Sequence, residues 1–335
     1  MYERIITHND FDGLVSAAIC SHVWNVEDFR FAGPRTIAES KISITQNDIV
    51  CDLPYPLECG LWFDHHEGNR EELAHRGIDL SQIDGCFALK PSCSRVVYDF
   101  YSNSKSFPEH FDEMVENADT IDSFGYRSVE EWRRETPGKK IDGSLKIREQ
   151  SIHDGLHYMN RLVLWLRDES LDEAARIPEV EERYLQFKTE ETQMLELIQR
   201  DAYLSPDEKE GELIVLDLTK HNRKPHILKH LAFLLYPEAL GVIEVKNMFR
   251  GGTKTNDLSL SMSISLNLNG KDHGKDVGEI MRLLNIGDGH KGAGAGVIRN
   301  SSKEEMIRRM DGALKEIVEI WRNQPDDGVQ ELRVK

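Results

Sequence analysis

The stretch Phe63-Asp64-His65-His66-Glu67 sets a carboxylate and two imidazoles side by side behind an aromatic residue. Adjacent side chains on an extended backbone point to opposite faces, so His65 and His66 are expected to serve different partners. Three further segments carry groups of the same kind. THNDFDG, residues 7–13, brings His8, Asp10 and Asp12 just past a short apolar run, where alternating residues face one way. Asp52 closes DIVCD in the same position relative to its own apolar run. NADTID offers Asp119 and Asp122, neighbours on one helical face, and their spacing does not decide which reaches the site. Taken singly, each segment has a plainer reading, as a helix cap or a solvated turn. Their joint occurrence at the same kind of strand end points to a site.

Carboxylate oxygens combined with imidazole nitrogens suit Mn2+, and also Fe2+, Co2+ or Zn2+, better than Ca2+ or a thiolate-selected ion. The groups exceed one ion's share. Two ions about 3.5–4 Å apart lower the pKa of a bridging water to near neutrality and stabilise both oxygens of an in-line displacement at phosphorus. One histidine of the pair would then ligate while the other faces the substrate.

Such groups need strand ends to hold them. ERIIT, DIVCDL, GLWFD and GCFAL read as short strands, with helices over FDGLVSAAICSHVW, SCSRVVYDFYS and PEHFDEMVENADTID. Strands alternating with helices predict a mainly parallel sheet covered on both sides, whose carboxyl ends border a ligand crevice. Residues 126–205 are charged and helical, without a convincing strand. Val180, Tyr184, Phe187, Met194 and Ile198 keep helical spacing there and predict a long helix joining two bodies. LSPDEKEGE at 204–212 punctuates the chain, and a second α/β set follows: LIVLDL, a helix near PHILKHLAFLLY, LGVIEV, LSLSMSISL, a helix at DVGEIMRLL, GAGAGVI and a last helix over 302–321. The expected organisation is an α/β catalytic domain over 1–175 with a helical insertion at about 126–175, a linker helix over 176–205 and a smaller α/β domain over 206–335.

Forty-two Lys and Arg against fifty-nine Asp and Glu leave a net charge of −17, the reverse of what long duplex nucleic acid needs. No apolar run approaches the ~20 residues of a membrane span, and MYERIITHND lacks the regions of a signal peptide. Five cysteines, with no C-x-x-C pair, fit a reduced compartment. A cytoplasmic location, no membrane partner and a small phosphorylated substrate are therefore expected. His22 and Trp24 read as packing residues, and Cys93 and Ser94 open a helix whose N–H groups suit a phosphate.

In this order the segments resemble the DHH phosphoesterase family: HNDFDG its first motif, CDLP its second, FDHHE its third and NADTIDS its fourth. GDGHKGAGAG, 287–296, is similar to the glycine-and-histidine motif of the associated DHHA1 domain. The resemblance implies two lobes with the site between them, and two Mn2+ ions per chain, with Mg2+, Co2+ or Fe2+ as alternatives. By similarity His8, Asp10 and Asp52 hold one ion, and Asp12, Asp52, His65 and Asp119 the other. Asp64 would orient a ligating histidine, and His66 would contact the scissile phosphate or assist the leaving oxygen.

Gly287, Gly289, His290, Lys291 and Gly292 would bind substrate through close backbone N–H groups and charge-assisted donors. Two departures stand out: Asp288 replaces a usual glycine, and LSLSMSISL lacks the family's arginine, for which Arg250 or KHNRKPHILKH are candidate replacements. The implied activity is hydrolysis of phosphodiester bonds in small nucleotides: short oligonucleotides, a 3′,5′-bisphosphate nucleoside or a cyclic dinucleotide. Polyphosphate or pyrophosphate hydrolysis at the same site, and a nucleotide-binding regulator without turnover, are the alternatives.

Overall fold

A computed structural model describes residues 2–205, 211–269, 271 and 273–325. The chain divides into two compact units, Met1–Tyr126 with Arg134–Lys188, and Arg127–Arg133 with Thr189–Lys335.

The first unit begins with β1 (Arg4–His8), α1 (Phe11–Trp24), β2 (Phe29–Ala32), α2 (Pro34–Ala38), β3 (Asp48–Cys51), β4 (Leu61–Asp64), α3 (Glu67–His75), β5 (Gly85–Phe87), α4 (Cys93–Ser102) and α5 (His110–Asp122). Its five strands are all parallel, in the order β2-β1-β3-β4-β5. Side-chain alternation explains why both faces are covered. Ile5, Ile49, Leu61 and Phe63 join one apolar cluster, and Ile6, Val50 and Trp62 join another. β2 and α3 had no clear sequence signal, because four residues are too few for a period and α3 is mostly charged.

The helical stretch that follows is part of the same core. α6 (Val129–Arg133) falls to the second unit, but α7 (Pro137–Leu145), α8 (Ile152–Asp168) and α9 (Leu171–Ala174) send Ile141, Tyr158, Leu162, Val163, Leu166 and Leu171 into the cluster that holds α1. Each such fully buried side chain contributes roughly 1.5–3 kcal/mol. α10 (Pro178–Asp201) is the expected long helix, its residues divided between the units at Lys188 and Thr189.

The second unit contains β6 (Ala202–Leu204), β7 (Leu213–Asp217), α11 (Ala232–Leu235), β8 (Gly241–Arg250), β9 (Thr253–Ile264), α12 (Val277–Leu283), β10 (Gly287–His290), β11 (Ala293–Ile298) and α13 (Lys303–Asn323). They form a mixed sheet, β10-β11-β9-β8-β7-β6, in which only β7 and β8 run parallel. One expectation needs correction. The helix over PHILKHLAFLLY shrinks to a 3-10 turn at Lys229–Leu231 and one turn of α11, because Leu228 is extended (φ −108°). GDGH, to which the sequence reading gave no element, is a strand paired with β11. Most of the punctuating stretch 204–212 lies outside the described residues.

Candidate metal centre

The first unit's sheet reverses its strand order between β1 and β3, and at such a switch point the carboxyl ends of the strands open a crevice. His8 closes β1 and Asp10 caps α1, accepting the Gly13 N–H at 3.0 Å. Its other oxygen lies 2.6 Å from His8 Nδ1. The capping role and the site role are thus served by one side chain. Gly13 is required at its position, since a Cβ there would lie 2.3 Å from the His8 carbonyl oxygen.

Asp12 turns inward and is fully buried. Its two oxygens accept the amides of Cys93 (2.7 Å) and Ser94 (2.9 Å) at the start of α4. Those amides, expected to suit a phosphate, are therefore committed to a carboxylate.

Asp52 follows β3 in the left-handed region (φ 58°), a conformation that aspartate tolerates better than most residues, and its N–H donates to Phe63 O at 2.9 Å. The turn aims the carboxylate at three imidazoles. Oδ2 is 3.6 Å from His8 Nδ1, and Oδ1 is 3.5 Å from His65 Nε2 and 3.7 Å from His66 Nδ1.

The two histidines do not point to opposite faces. β4 ends at Asp64, so strand alternation no longer governs them, and their rings lie 4.2 Å apart beside Asp52. His65 Nδ1 donates to the Lys90 carbonyl at 3.0 Å, which leaves Nε2 of the neutral ring as the acceptor. That nitrogen is 3.4 Å from Asp122 and 3.9 Å from Asp12. Buried Asp64 accepts from His66 Nδ1 at 2.8 Å and from Asn69 Nδ2 at 2.6 Å, so it orients His66.

Asp119 stands apart from the cluster. Its carboxylate accepts from Ser92 Oγ at 2.6 Å and from Arg95 Nε and Nη2 at 2.9 and 2.7 Å. Asp122, one helical turn on, points to His65 instead. Asn69, Ser92 and Arg95 went unread in the sequence. Asn69 had a weak signal, three residues past His66, whereas nothing local marks Arg95 as the partner of a residue 24 positions away.

Three sets of ligand atoms lie within 4.8 Å of one another: His8, Asp10 and Asp52; Asp52, His65 and His66; and Asp12, His65 and Asp122. Burial raises Asp12 well above the usual carboxylate range, with Asp52 and Asp122 adding to it. Burial and Asp52 likewise push Asp122 up to about 7. Burial disfavours charge on His8 and His65, but Asp52 together with Asp10 for His8, and with Asp12 and Asp122 for His65, overcomes it and raises each to about 10. Asp52, against its own burial, is held down at about 2 by His65 and His8. Without a cation, protonated imidazoles supply the positive charge that crowded carboxylates demand; a bound divalent ion would take over that role as the rings give up their protons. The residues fit a divalent cation on one further ground: Asp52 Oδ1 and His65 Nε2 are buried without a hydrogen-bond partner.

In the second unit, Gly287 and Gly289 lie so close to β11 that a Cβ would fall 2.0 Å from Ala295 O and 2.3 Å from Ala293 O. Asp288 accepts Arg282 Nη1 at 2.7 Å and the Gly289 N–H at 2.8 Å, so its charge is answered within the hairpin. Gly292 N donates to His290 Nδ1 at 3.1 Å, which puts the neutral ring's proton on Nε2.

No family model and no curated protein matches the sequence. Solved structures do. The pGpG-specific phosphodiesterase PggH of Vibrio cholerae is similar over 94% of this chain and 98% of its own, with TM-score 0.67 and 26% identity. RecJ of Thermus thermophilus, in complex with Mn2+, matches 97% of this chain and 53% of its own at TM-score 0.56 and 13% identity. The DHH domain of a member of the s1p family of ribosomal proteins matches 94% of this chain and 87% of its own, also at TM-score 0.56 and 13% identity. The last two share the fold.

Proposed function

We propose, from the premise that this chain belongs to the DHH family of phosphoesterases, that it is a divalent-metal-dependent phosphodiesterase acting on short linear dinucleotides. The observation that carries this reading is the pair of buried, unpartnered ligand atoms, Asp52 Oδ1 and His65 Nε2, shared among three carboxylate-imidazole sets. A dinucleotide substrate is favoured because a similar structure, PggH, is pGpG-specific, and because the net charge of −17 disfavours long strands.

His8, Asp10 and Asp52 would hold one ion, and Asp12, Asp52, His65 and Asp122 a second, with Asp122 replacing Asp119 in that role. The mixed oxygen and nitrogen donors favour Mn2+ over Mg2+. Bound there, divalent ions supply Lewis acidity toward phosphate and bring the pKa of water near neutrality.

The chain's own groups do the rest. The Lys90 carbonyl keeps the His65 tautomer that presents Nε2, and α4 fixes Asp12 through two amides. Asp64 and Asn69 hold His66, which moves a proton toward the departing oxygen. No nucleophilic side chain takes part: Cys93 is fully buried, and burial pushes its thiol up.

The test is a panel with Mn2+, Mg2+, Co2+ and Fe2+ against pGpG, a cyclic dinucleotide, adenosine 3′,5′-bisphosphate, pyrophosphate and polyphosphate. Conversion of pGpG to two GMP, abolished by EDTA and restored by Mn2+, is the expected result. If every substrate stays intact with every metal, the chain is a nucleotide-binding regulator instead.

A further inference from the structure

The second unit's sheet has two unlike faces. Val245, Leu258, Leu260, Met262 and Ile298 pack in one cluster with residues of α12 and α13. Strand alternation therefore turns Glu244, Lys246, Ser259, Ser261 and Ser263 to the other face. Register sets Glu244 opposite Ser261 and Lys246 opposite Ser259, with Ala295 beyond Ser261. Small residues thus floor this region of the face.

Glu244 is only 4% exposed. Its Oε1 accepts from Lys246 Nζ at 2.5 Å. A second ammonium comes from Lys229, on the 3-10 turn, which packs against β8, the strand that carries Glu244 and Lys246. The Lys229 side chain makes no hydrogen bond or ion pair among the described residues, although the residue is half-buried. Two ammonium groups over one carboxylate leave a positive charge unanswered in a chain of net charge −17. Burial pulls Lys229 down to about 8, with Glu244 opposing and Lys246 assisting. Ser263 Oγ, on the same face and 2% exposed, also lacks a partner. A pair of solvated surface lysines, the plainer reading, would be neither half-buried nor set above a buried carboxylate.

We propose that Lys229 and Lys246, with the hydroxyls of Ser259 and Ser261, form an anion site on this face that takes a phosphoryl dianion, either free phosphate or the monoester of a nucleotide. Each ammonium offers charge-assisted donors to phosphate oxygens, and the serines add neutral ones. Glu244 fixes Lys246 from below and limits the excess to one positive charge, too little to hold a polyanionic strand.

The site is independent of turnover, so it is tested on the full chain in EDTA by calorimetric titration with inorganic phosphate, GMP and guanosine. Wild type should bind phosphate and GMP but not guanosine. Lys229→Gln and Lys246→Gln should each weaken both by about tenfold or more. Thermal unfolding of each variant verifies the fold, and the less perturbing variant decides if one fails to fold. Wild type that binds neither anion, guanosine bound as tightly as GMP, or folded variants that bind phosphate as wild type does would each overturn the proposal. Failure to hydrolyse pGpG would leave it untouched, because nothing in the titration depends on catalysis.

Discussion

Asp52 Oδ1 and His65 Nε2 lie 3.5 Å apart, both buried and neither hydrogen-bonded. With the His65 ring neutral, both atoms are acceptors, and a cation between them would satisfy the two at once.

Metal should therefore stabilise the fold as well as enable catalysis. At a Mn2+ concentration of ~100 Kd the gain is about 2.7 kcal/mol, visible as a raised melting temperature. Asp52→Asn should abolish that shift while the EDTA-treated variant still folds. An equal Mn2+ shift in variant and wild type would remove Asp52 from the ligand set.

Asp119 and Asp122 should behave differently on substitution. Asp122→Asn is expected to lower kcat/KM by at least about a hundredfold, or ~2.7 kcal/mol of transition-state stabilisation. Asp119→Asn loses the ion pair with partly exposed Arg95, worth about 1 kcal/mol of stability, and should keep most of its activity. Steady-state kinetics with urea titration checks both, and the reverse ranking would restore Asp119 as the ligand.

Lys229 makes a pH prediction. Its folded pKa of about 8 lies below the ordinary 10.5, so the unfolded chain holds more protons between those values and stability rises with pH across that window. Lys229→Met has no such slope. It should be the more stable protein at pH 7, with the difference closing as pH climbs from 8 toward 10.5. Urea unfolding of both proteins at several pH values measures this, and a constant difference would contradict the burial of that ammonium.

Gly13→Ala should damage the site without touching a ligand. The added methyl meets the His8 carbonyl oxygen at 2.3 Å, and such overpacking costs typically 1–3 kcal/mol. Mn2+ affinity should fall with stability, because His8 and Asp10 ride on the backbone that must move. Unchanged affinity in a folded variant would show that the turn is not needed for ligand placement.

Much of this was legible in the sequence for a physical reason. β1 and β4 are apolar runs that end on a histidine and an acid, and β3 is followed at once by Asp52, so element and chemistry announce each other. What stayed hidden depends on contacts distant in sequence. Asp119 and Asp122 share a helical face, and Ser92 and Arg95, both far from them in sequence, pull the first aside. The pairing of His65 and His66 depends on where β4 stops, which local pattern does not fix. GDGH carried no strand signal, since glycine disfavours strands, yet here Gly287 and Gly289 let two strands approach too closely for any Cβ.

At Asp12 one carboxylate both seats a helix and faces the metal site, since each of its oxygens already receives an amide of α4. Architecture and reactivity are welded together there. Removing this carboxylate should therefore cost the scaffold as well as the candidate site, unless some other acceptor takes over those two amides.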